Sequence, residues 1–275
     1  QTYANTFLAS SSNSNGLFSI VDGMANPMNE KDPVASSLEA ETRWMDGADE
    51  AQAKLMQEAC ILVDRYDNVV GHDTKKHCHL NANIGGRGLL HRAFSVFIFN
   101  ANHELLMQKR SAAKITFPSC WANSCCSHPR YAQEEMEMKD ALGVKRAAQR
   151  KIFQELGIPP VELPLTCFHF LTRVHYQAQS NAIWGEHEID YVLFCTPPHD
   201  VVPKPNPNEV AEVQYLSPNA LDKFVANADA DGKQLSPWFR VIYASLLPQW
   251  WEALVARKLD AVKDVVTIHR AGMVS

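Results

Sequence analysis

Residues 89–100, LLHRAFSVFIFN, constrain the fold of this chain more than any other segment. Aromatic and β-branched side chains dominate the run, which is long enough to cross a sheet, so it predicts a central strand. Polar residues at 100–104 predict a turn after it. We expect residues 105–110 to return as a strand that pairs with the central one.

The rest of the apolar pattern predicts an α+β domain. Further strands are expected at residues 60–64, 168–176, 188–195 and 210–216, and helices at 49–59, 143–156 and 217–225. Pro237 predicts the start of one long apolar helix over residues 238–259, because Pro is favoured in a first helical turn. Gly85 and Gly86 predict a loop. Strands interleaved with few helices favour a mixed sheet flanked by helices.

Composition limits the class of protein. The chain has 275 residues, of which 46% are hydrophobic and 21% charged, as is typical of a soluble globular domain with extensions. Its net charge of -5 argues against nucleic-acid binding. No apolar run approaches the roughly 18–20 residues of a bilayer span, so we expect a soluble protein without a membrane-spanning segment.

The cysteines and the first residue bear on the compartment. Seven cysteines are an odd number in a chain too large to need disulfides, so free thiols in a reducing compartment are expected. The chain begins at Gln1 rather than Met, which is consistent with removal of a leader. Both the cytoplasm and an organelle stay open.

Three segments are predicted from local composition. Residues 1–47 are rich in Ser, Asn and Ala and lack periodicity, so they are expected to form a low-complexity N-terminal extension. Residues 48–260 form the predicted folded domain, and residues 261–275 a C-terminal tail. The extension leaves room for attachment to a larger assembly.

Two short motifs carry the chemistry that residue types alone predict. Cys126 lies two residues before His128, just ahead of the turn-forming Pro129. Glu186 and Glu188 are also two residues apart, and in a strand that spacing points both carboxylates to one face. A thiol, an imidazole and two such carboxylates are the components of a metal-assisted acid/base site.

These motifs belong to a longer pattern that resembles a known family. The pattern spans residues 59–251 and includes LLHRAFS at 89–95, KITFP at 114–118, NSCCSHP at 123–129, WGEHEIDY at 184–191 and SPWF at 236–239. It resembles type 1 isopentenyl-diphosphate isomerases, members of the Nudix fold superfamily. The resemblance implies a Nudix α/β/α sandwich around a mixed sheet. It also implies an enzyme of isoprenoid biosynthesis that interconverts two small prenyl diphosphates, isopentenyl diphosphate and dimethylallyl diphosphate.

The resemblance also implies catalytic roles. Cys126 and Glu188 match the family's acid/base pair, which adds a proton at one carbon and removes one from another. The indole face of Trp238 matches the aromatic group that stabilises the carbocation-like state, and a desolvated cation–π contact contributes about 2 kcal/mol. Tyr176 matches a supporting tyrosine on the cysteine side of the site.

Metal and substrate ligands follow from the same match. A site for Zn²⁺, Mn²⁺ or Mg²⁺ is expected from three imidazoles and two carboxylates, those of His79, His91, His128, Glu186 and Glu188. The diphosphate is expected to bind Lys75, Arg110, Lys114 and Ser127. Glu155 is expected to help hold a Mg²⁺ ion bound to the diphosphate oxygens. Lys151, one helical turn earlier, either joins the phosphate site or pairs with Glu155.

One departure from the superfamily's sequence pattern helps to choose between isomerisation and hydrolysis. The hydrolase box R-E-hydrophobic-x-E-E-x-G stands here as residues 150–157, RKIFQELG, so Lys151 and Gln154 replace two of its glutamates. Fewer metal-binding carboxylates disfavour hydrolysis of a diphosphate and favour isomerisation. A Nudix hydrolase acting on a nucleoside or prenyl diphosphate is the first alternative. A structural subunit of a larger assembly, built on a recruited isomerase, is the second.

Overall fold

A computed structural model describes residues 48–87 and 89–271 of the chain. The extension expected at residues 1–47 lies outside the described residues, as do residues 272–275 of the expected tail. Within the described part, no helix is both long and apolar enough to cross a membrane.

A mixed sheet forms the centre of the fold. Its strands are β1 (Ala59–Val63), β2 (Val69–Thr74), β3 (His91–Ile98), β6 (Cys125–Ser127), β7 (Phe168–Gln179), β8 (Gly185–Cys195) and β10 (Ile268–Arg270). They are ordered β10–β7–β8–β3–β1–β2, and β6 also pairs with β3. β3 runs parallel to β8, and β10 runs parallel to β7, whereas the other pairs are antiparallel. Every residue of β3 is buried, which confirms the central strand.

The expectation that residues 105–110 pair with the central strand is wrong. β8 occupies one edge of β3 along its whole length, and β1 and β6 occupy the other. Because a strand has only two hydrogen-bonding edges, β4 (Leu105–Arg110) instead joins a three-stranded sheet with β5 (Trp121–Ala122) and β9 (Val210–Leu216). An isolated bridge between Phe99 and Leu105 links β4 to the end of β3.

The described α-helices flank the two sheets. They are α1 (Glu50–Leu55), α2 (Lys75–His79), α3 (Asn81–Arg87), α4 (Leu142–Leu156), α5 (Pro218–Asn227), α6 (Pro237–Ser245) and α7 (Leu247–Val255). α4 ends at Gly157, whose φ of 65° lies in the left-handed region that favours glycine. The loop predicted at Gly85 and Gly86 is wrong, because both residues lie within α3.

The long helix predicted over residues 238–259 is also wrong. Between α6 and α7, Leu246 leaves the helical conformation with a φ of −128° and a ψ of −42°. Pro248 explains the break, because its ring removes one N–H from the helical ladder and clashes with the carbonyl four residues earlier. The two shorter helices both pack on one core, through Trp238 in α6 and Trp251 in α7.

Two hydrophobic cores lie on opposite faces of the main sheet. Along β3, Phe97 contributes to one core, whereas Phe94 and Val96 contribute to the other, as the alternation of side chains requires. The first core contains the buried faces of α6 and α7, and the second contains that of α4. The layers therefore form the expected α/β/α sandwich around a mixed sheet.

Part of the expected C-terminal tail belongs to the main sheet. In β10, Ile268 lies opposite Arg173 of β7. Just before it, the carbonyl of Asp264 accepts a hydrogen bond of 2.7 Å from the Thr172 hydroxyl. The boundary at residue 260 stays a prediction, but the chain remains tied to β7 beyond it.

Candidate active site

Four buried side chains converge near the start of β3. His79, His91, His128 and Glu188 each offer one ligand atom, and these atoms lie within 4.8 Å of one another. The three imidazole rings are evenly spaced, with centroids 4.8 to 4.9 Å apart. Their Nε2 atoms lie 3.7, 3.3 and 2.8 Å from Glu188 Oε1, in the order of the chain. We call these four residues the histidine cluster.

The fold directs two of the imidazoles through backbone contacts. His79 ends α2, and its Nδ1 lies 2.7 Å from the carbonyl oxygen of Lys75, one turn earlier. His91 opens β3 directly opposite Glu188 of β8, and its Nδ1 lies 3.3 Å from the carbonyl oxygen of Leu89. A hydrogen on each Nδ1 satisfies these carbonyls and leaves the Nε2 lone pair available to bind a metal ion.

The histidine cluster fits a divalent cation. Nε2 of His79 and Nε2 of His91 are buried atoms without a hydrogen-bond partner, and such atoms need one. Burial lowers the pKa of His79 well below its ordinary value and lowers that of His128 to about 3. Both rings are therefore neutral at physiological pH, as metal ligands must be. His91 differs, because burial alone would lower its pKa but the Glu188 carboxylate outweighs burial and raises it, so this ring would give up its proton to bind a metal ion. Three imidazoles and a carboxylate are a donor set typical of divalent metal sites.

Glu188 is ionised despite its burial. Burial alone would raise its pKa, but His128 and His91 outweigh that effect and hold the pKa well below its usual range. Tyr176 lies opposite Glu188 on β7, and its hydroxyl is 2.6 Å from Glu188 Oε2. The two carboxylate oxygens thus have different neighbours, with imidazoles around Oε1 and a phenol beside Oε2.

Glu186 borders the histidine cluster without belonging to it. Its Oε2 lies 2.8 Å from the Tyr176 hydroxyl, and its Oε1 accepts a hydrogen bond of 3.3 Å from the Thr116 hydroxyl. Burial, and then the charge of Glu188, raise the pKa of Glu186 to about 7. The ligand group whose atoms lie within 4.8 Å does not include it.

Cys126 lies in β6 opposite Ser95 of β3. Its Sγ is 3.0 Å from Asn123 Oδ1, 3.0 Å from Trp238 Nε1 and 3.6 Å from Ser95 Oγ. Burial raises the pKa of the thiol above its ordinary value, and the nearby Asp190 raises it further. The thiol is therefore protonated at neutral pH. Of the seven cysteines, Cys126 alone is partly accessible.

Trp238 lies in the first turn of α6, beside the thiol. Its indole N–H donates to Asn123 Oδ1 at 3.1 Å. Phe117 packs edge-to-face against the ring with centroids 5.3 Å apart, and the Arg110 guanidinium lies 5.7 Å from the ring centroid. The indole is therefore held both at its nitrogen and on its ring.

One cavity brings most of the predicted residues together. Its lining includes the four predicted catalytic residues, Cys126, Tyr176, Glu188 and Trp238. It also includes the four predicted substrate-binding residues, Lys75, Arg110, Lys114 and Ser127, together with His128 and Glu186. The other two predicted histidine ligands are fully buried beside it.

Two of the positively charged side chains that line the cavity, Arg110 and Lys114, are held by neighbouring groups. The Arg110 guanidinium donates to the carbonyl oxygens of Phe117 at 3.0 Å and Thr116 at 2.7 Å. The Lys114 ammonium forms a salt bridge with the buried carboxylate of Glu209. Burial lowers the pKa of Lys114 to about 8, although Glu209 opposes this effect. Glu209 is a site residue that sequence reasoning missed.

Glu155 lies apart from the cavity lining. It is buried in α4, where Lys151 Nζ lies 3.4 Å from its Oε1. The thiol of Cys125 donates to its Oε2 at 3.6 Å. The structure thus pairs Lys151 with Glu155, and neither residue lines the cavity.

Sequence reasoning also missed Asp190 and Ser95, which both line the cavity. Asp190 follows Glu188 by two residues in β8, so alternation points both side chains to the same face. That spacing is a signal that could have identified Asp190. Burial, and then Glu188, raise the pKa of Asp190 well above its usual range. Ser95 lies within an apolar strand and offered no comparable signal.

Known proteins share both the domain and most of the chain. Residues 89–239 match the NUDIX domain family. The chain is 51% identical over 222 residues to isopentenyl-diphosphate Delta-isomerase 1 of Mesocricetus auratus, with 81% of this chain and 96% of that protein covered. It is 48% identical over 240 residues to isopentenyl-diphosphate Delta-isomerase II of Camptotheca acuminata, with 86% and 77% covered. It is 49% identical over 227 residues to isopentenyl-diphosphate Delta-isomerase II, chloroplastic, of Arabidopsis thaliana, with 82% and 79% covered. The chain therefore belongs to the isopentenyl-diphosphate Delta-isomerase family of NUDIX-domain proteins.

Proposed function

We propose that this protein interconverts isopentenyl diphosphate and dimethylallyl diphosphate by moving a carbon–carbon double bond. The observation that carries the proposal is a protonated thiol, Cys126, and an ionised carboxylate, Glu188, in the lining of one cavity. The reaction adds a proton at one end of the alkene and removes one from the carbon on the other side. It therefore needs one group that gives a proton and one that takes it. The names of the relatives support the same activity.

The indole ring of Trp238, which lines the cavity, suits the positive charge that develops during this reaction. Protonation of the alkene leaves positive charge on a tertiary carbon. The π face of Trp238 stabilises such a charge without attacking it. Tyr176, whose hydroxyl is 2.6 Å from Glu188 Oε2, orients the oxygen that exchanges the proton.

The metal proposal assigns the histidine cluster to Zn²⁺, Mn²⁺ or Mg²⁺. His79, His91, His128 and Glu188 would hold the ion, and the bordering Glu186 would approach it as a fifth ligand. Such an ion would supply positive charge that favours the ionised form of Glu188 and would help to orient its carboxylate. Glu188 Oε2 then remains beside Tyr176 and the cavity.

The proposal that this cavity binds the diphosphate of the substrate rests on its positively charged side chains. Lys75, Arg110 and Lys114 provide positive charge, and Ser127 provides a donor. Glu155 would help to hold a Mg²⁺ ion bound to the diphosphate, although it does not line the cavity and its carboxylate contacts the Cys125 thiol.

An assay for two products separates isomerisation from hydrolysis. Purified protein is incubated with isopentenyl diphosphate, and dimethylallyl diphosphate and released phosphate are quantified together. We expect the isomer without phosphate. The buried Lys151, which lies 3.4 Å from Glu155 inside the degraded box, supports this expectation, because its ammonium adds positive charge where hydrolases use a metal-binding carboxylate. Phosphate release without isomer would reject the proposal.

Compartment and assembly stay predictions. We infer a reducing compartment because all seven cysteines are free, including Cys167 and Cys195, whose Sγ atoms lie 3.3 Å apart. The name of one relative carries the word chloroplastic, and for this chain both the cytoplasm and an organelle remain open. The predicted attachment of residues 1–47 to a larger assembly concerns residues outside those described.

A further inference from the structure

Asn123 connects the thiol and the indole of the candidate active site. It lies between β5 and β6 and has no exposed surface. Its side-chain amide contacts the backbone on one side and the cavity lining on the other. Neither the sequence motif nor the proposed chemistry gives this residue a role of its own.

The backbone contacts fix which way the amide faces. Asn123 Nδ2 donates to the carbonyl oxygens of Val96 at 2.9 Å and Cys125 at 3.3 Å. Carbonyl oxygens only accept hydrogen bonds, so the nitrogen must face them. The oxygen of the amide therefore faces the cavity lining.

That oxygen stands at one corner of a triangle. Asn123 Oδ1 lies 3.0 Å from Cys126 Sγ and 3.1 Å from Trp238 Nε1, while Sγ and Nε1 are 3.0 Å apart. An amide oxygen has two lone pairs and can accept from the S–H and the N–H together. One acceptor thereby sets the direction of the thiol hydrogen and the rotation of the indole ring.

We propose that Asn123 is a positioning residue that holds the Cys126 thiol and the Trp238 indole as one unit. The proposal rests on the proposed isomerase function, in which the thiol transfers a proton and the ring stabilises positive charge. Asn123 acts through these two groups, since it does not itself line the cavity. Loss of its oxygen leaves the thiol hydrogen without this acceptor and removes one of the contacts that hold the indole nitrogen, which lowers the turnover number more than it weakens substrate binding.

A purely structural role for Asn123 needs a matched control, and Ser124 provides one. Ser124 is also fully buried, and its Oγ donates to the Leu106 carbonyl at 2.6 Å and accepts from the Ile98 N–H at 2.7 Å. Ser124→Ala therefore removes two buried hydrogen bonds from the same loop without touching the thiol or the indole. Asn123→Ala removes the oxygen that both groups share.

Two measurements on these variants test the proposal. In steady-state assays with isopentenyl diphosphate, kcat of Asn123→Ala is expected to fall about tenfold or more with little change in KM, as the loss of positioning hydrogen bonds predicts. In protein labelled with ¹⁵N-tryptophan, the Trp238 indole N–H resonance is assigned by its absence in Trp238→Phe. This resonance is expected to move upfield in Asn123→Ala and to stay in place in Ser124→Ala.

The conservative variant Asn123→Asp keeps an acceptor oxygen but loses both donations to the backbone. It is expected to keep the indole resonance at or downfield of its wild-type position, because a carboxylate accepts at least as strongly as an amide oxygen, and it replaces Asn123→Ala if that variant does not fold. An unchanged resonance in Asn123→Ala, or an upfield shift in Asn123→Asp, overturns the proposal, as does a loss of kcat no greater than that of Ser124→Ala. The resonance is read without substrate. If the wild type lacks isomerase activity but the resonance behaves as expected, the proposed function fails and the positioning by Asn123 stands.

Discussion

His91 faces Glu188 directly across the parallel strands β3 and β8, and its Nε2 lies 3.3 Å from Oε1 of that carboxylate. The other oxygen, Oε2, lies 2.6 Å from the Tyr176 hydroxyl. One carboxylate therefore faces an imidazole of the histidine cluster with one atom and a cavity-lining phenol with the other. This division lets a single residue serve both metal binding and proton transfer in the proposed mechanism.

His91→Gln is expected to lower metal affinity by at least about tenfold. Substitution of a residue that only hydrogen-bonds to a metal ligand already has an effect of that size. Metal content after dialysis, measured by elemental analysis, checks this. His187→Gln is the matched control. His187 lies between the two glutamates in sequence but faces the other way, with its Nε2 2.9 Å from that of His175. Equal loss of metal in both variants would contradict the assignment of the histidine cluster.

Cys126→Ala is expected to reduce turnover by about 10² to 10⁴-fold, the usual contribution of a general acid or base. Steady-state kinetics with either prenyl diphosphate measures this. Cys125→Ala is the control, because Cys125 packs in the core beside α4. It should lower the free energy of unfolding by about 1 kcal/mol and leave turnover nearly unchanged. If Cys126→Ala keeps full activity, the thiol has no part in the mechanism.

The buried His128 is expected to contribute a loss of stability in mild acid to the metal-free protein. Burial lowers the pKa of His128 to about 3 from an ordinary value of 6.5. Between these values the unfolded chain binds a proton that the folded protein does not, so lowering the pH favours unfolding. For His128 alone, the free energy of unfolding should fall by about 1 kcal/mol from pH 7 to pH 5.5.

Urea denaturation in the presence of a chelator measures this pH dependence. His128→Gln cannot take up the proton in either state, so the free energy of unfolding of the wild type should fall relative to that of this variant by about 1 kcal/mol from pH 7 to pH 5.5. A pH dependence identical to that of the wild type would show that His128 is not held neutral by burial.

Asp190→Asn is expected to stabilise the metal-free protein. Burial and the charge of Glu188 raise the pKa of Asp190 well above its usual range, so the folded protein keeps a proton that the unfolded chain releases. Stability therefore falls as pH rises above the ordinary carboxyl pKa, by at most about 1.4 kcal/mol per pH unit. The neutral amide removes this penalty.

Denaturation curves at pH 6 and pH 8 check the expectation for Asp190. The stabilisation by Asp190→Asn should be larger at pH 8 if its folded-state pKa lies within or above this range. Asp229→Asn is the control, because Asp229 is exposed and pairs with Arg240 on the surface. A destabilised Asp190→Asn protein would mean that the carboxylate is ionised in the folded state.

Local motifs predicted those parts of the site in which spacing along one element decides the geometry. Glu186 and Glu188 face one side of β8 because they are two residues apart, and the same rule would have added Asp190. Glu209 could not be found in this way, since its salt bridge to Lys114 joins residues 95 positions apart. The role of Asn123 likewise depends on β6 and α6 lying side by side, which no local pattern encodes.

The fold was predictable at the level of layers but not of every strand pair. The apolar run that became β3 correctly marked the centre of the sheet. Its partners depend on which strands fill its two edges, and β8, β1 and β6 displaced β4 from the predicted pairing. The break between α6 and α7 could have been predicted from Pro248, because a proline inside an apolar helical run interrupts the helix.

The histidine cluster takes its ligands from α2, β3, the segment after β6, and β8. These segments are separated by long stretches of chain, so their ends must close large loops before the ligands meet. A ribosome must therefore complete β8 before the nascent chain can present all four ligands at once. In the proposed metal site, the full set of ligands therefore becomes available only after β8 has been synthesised.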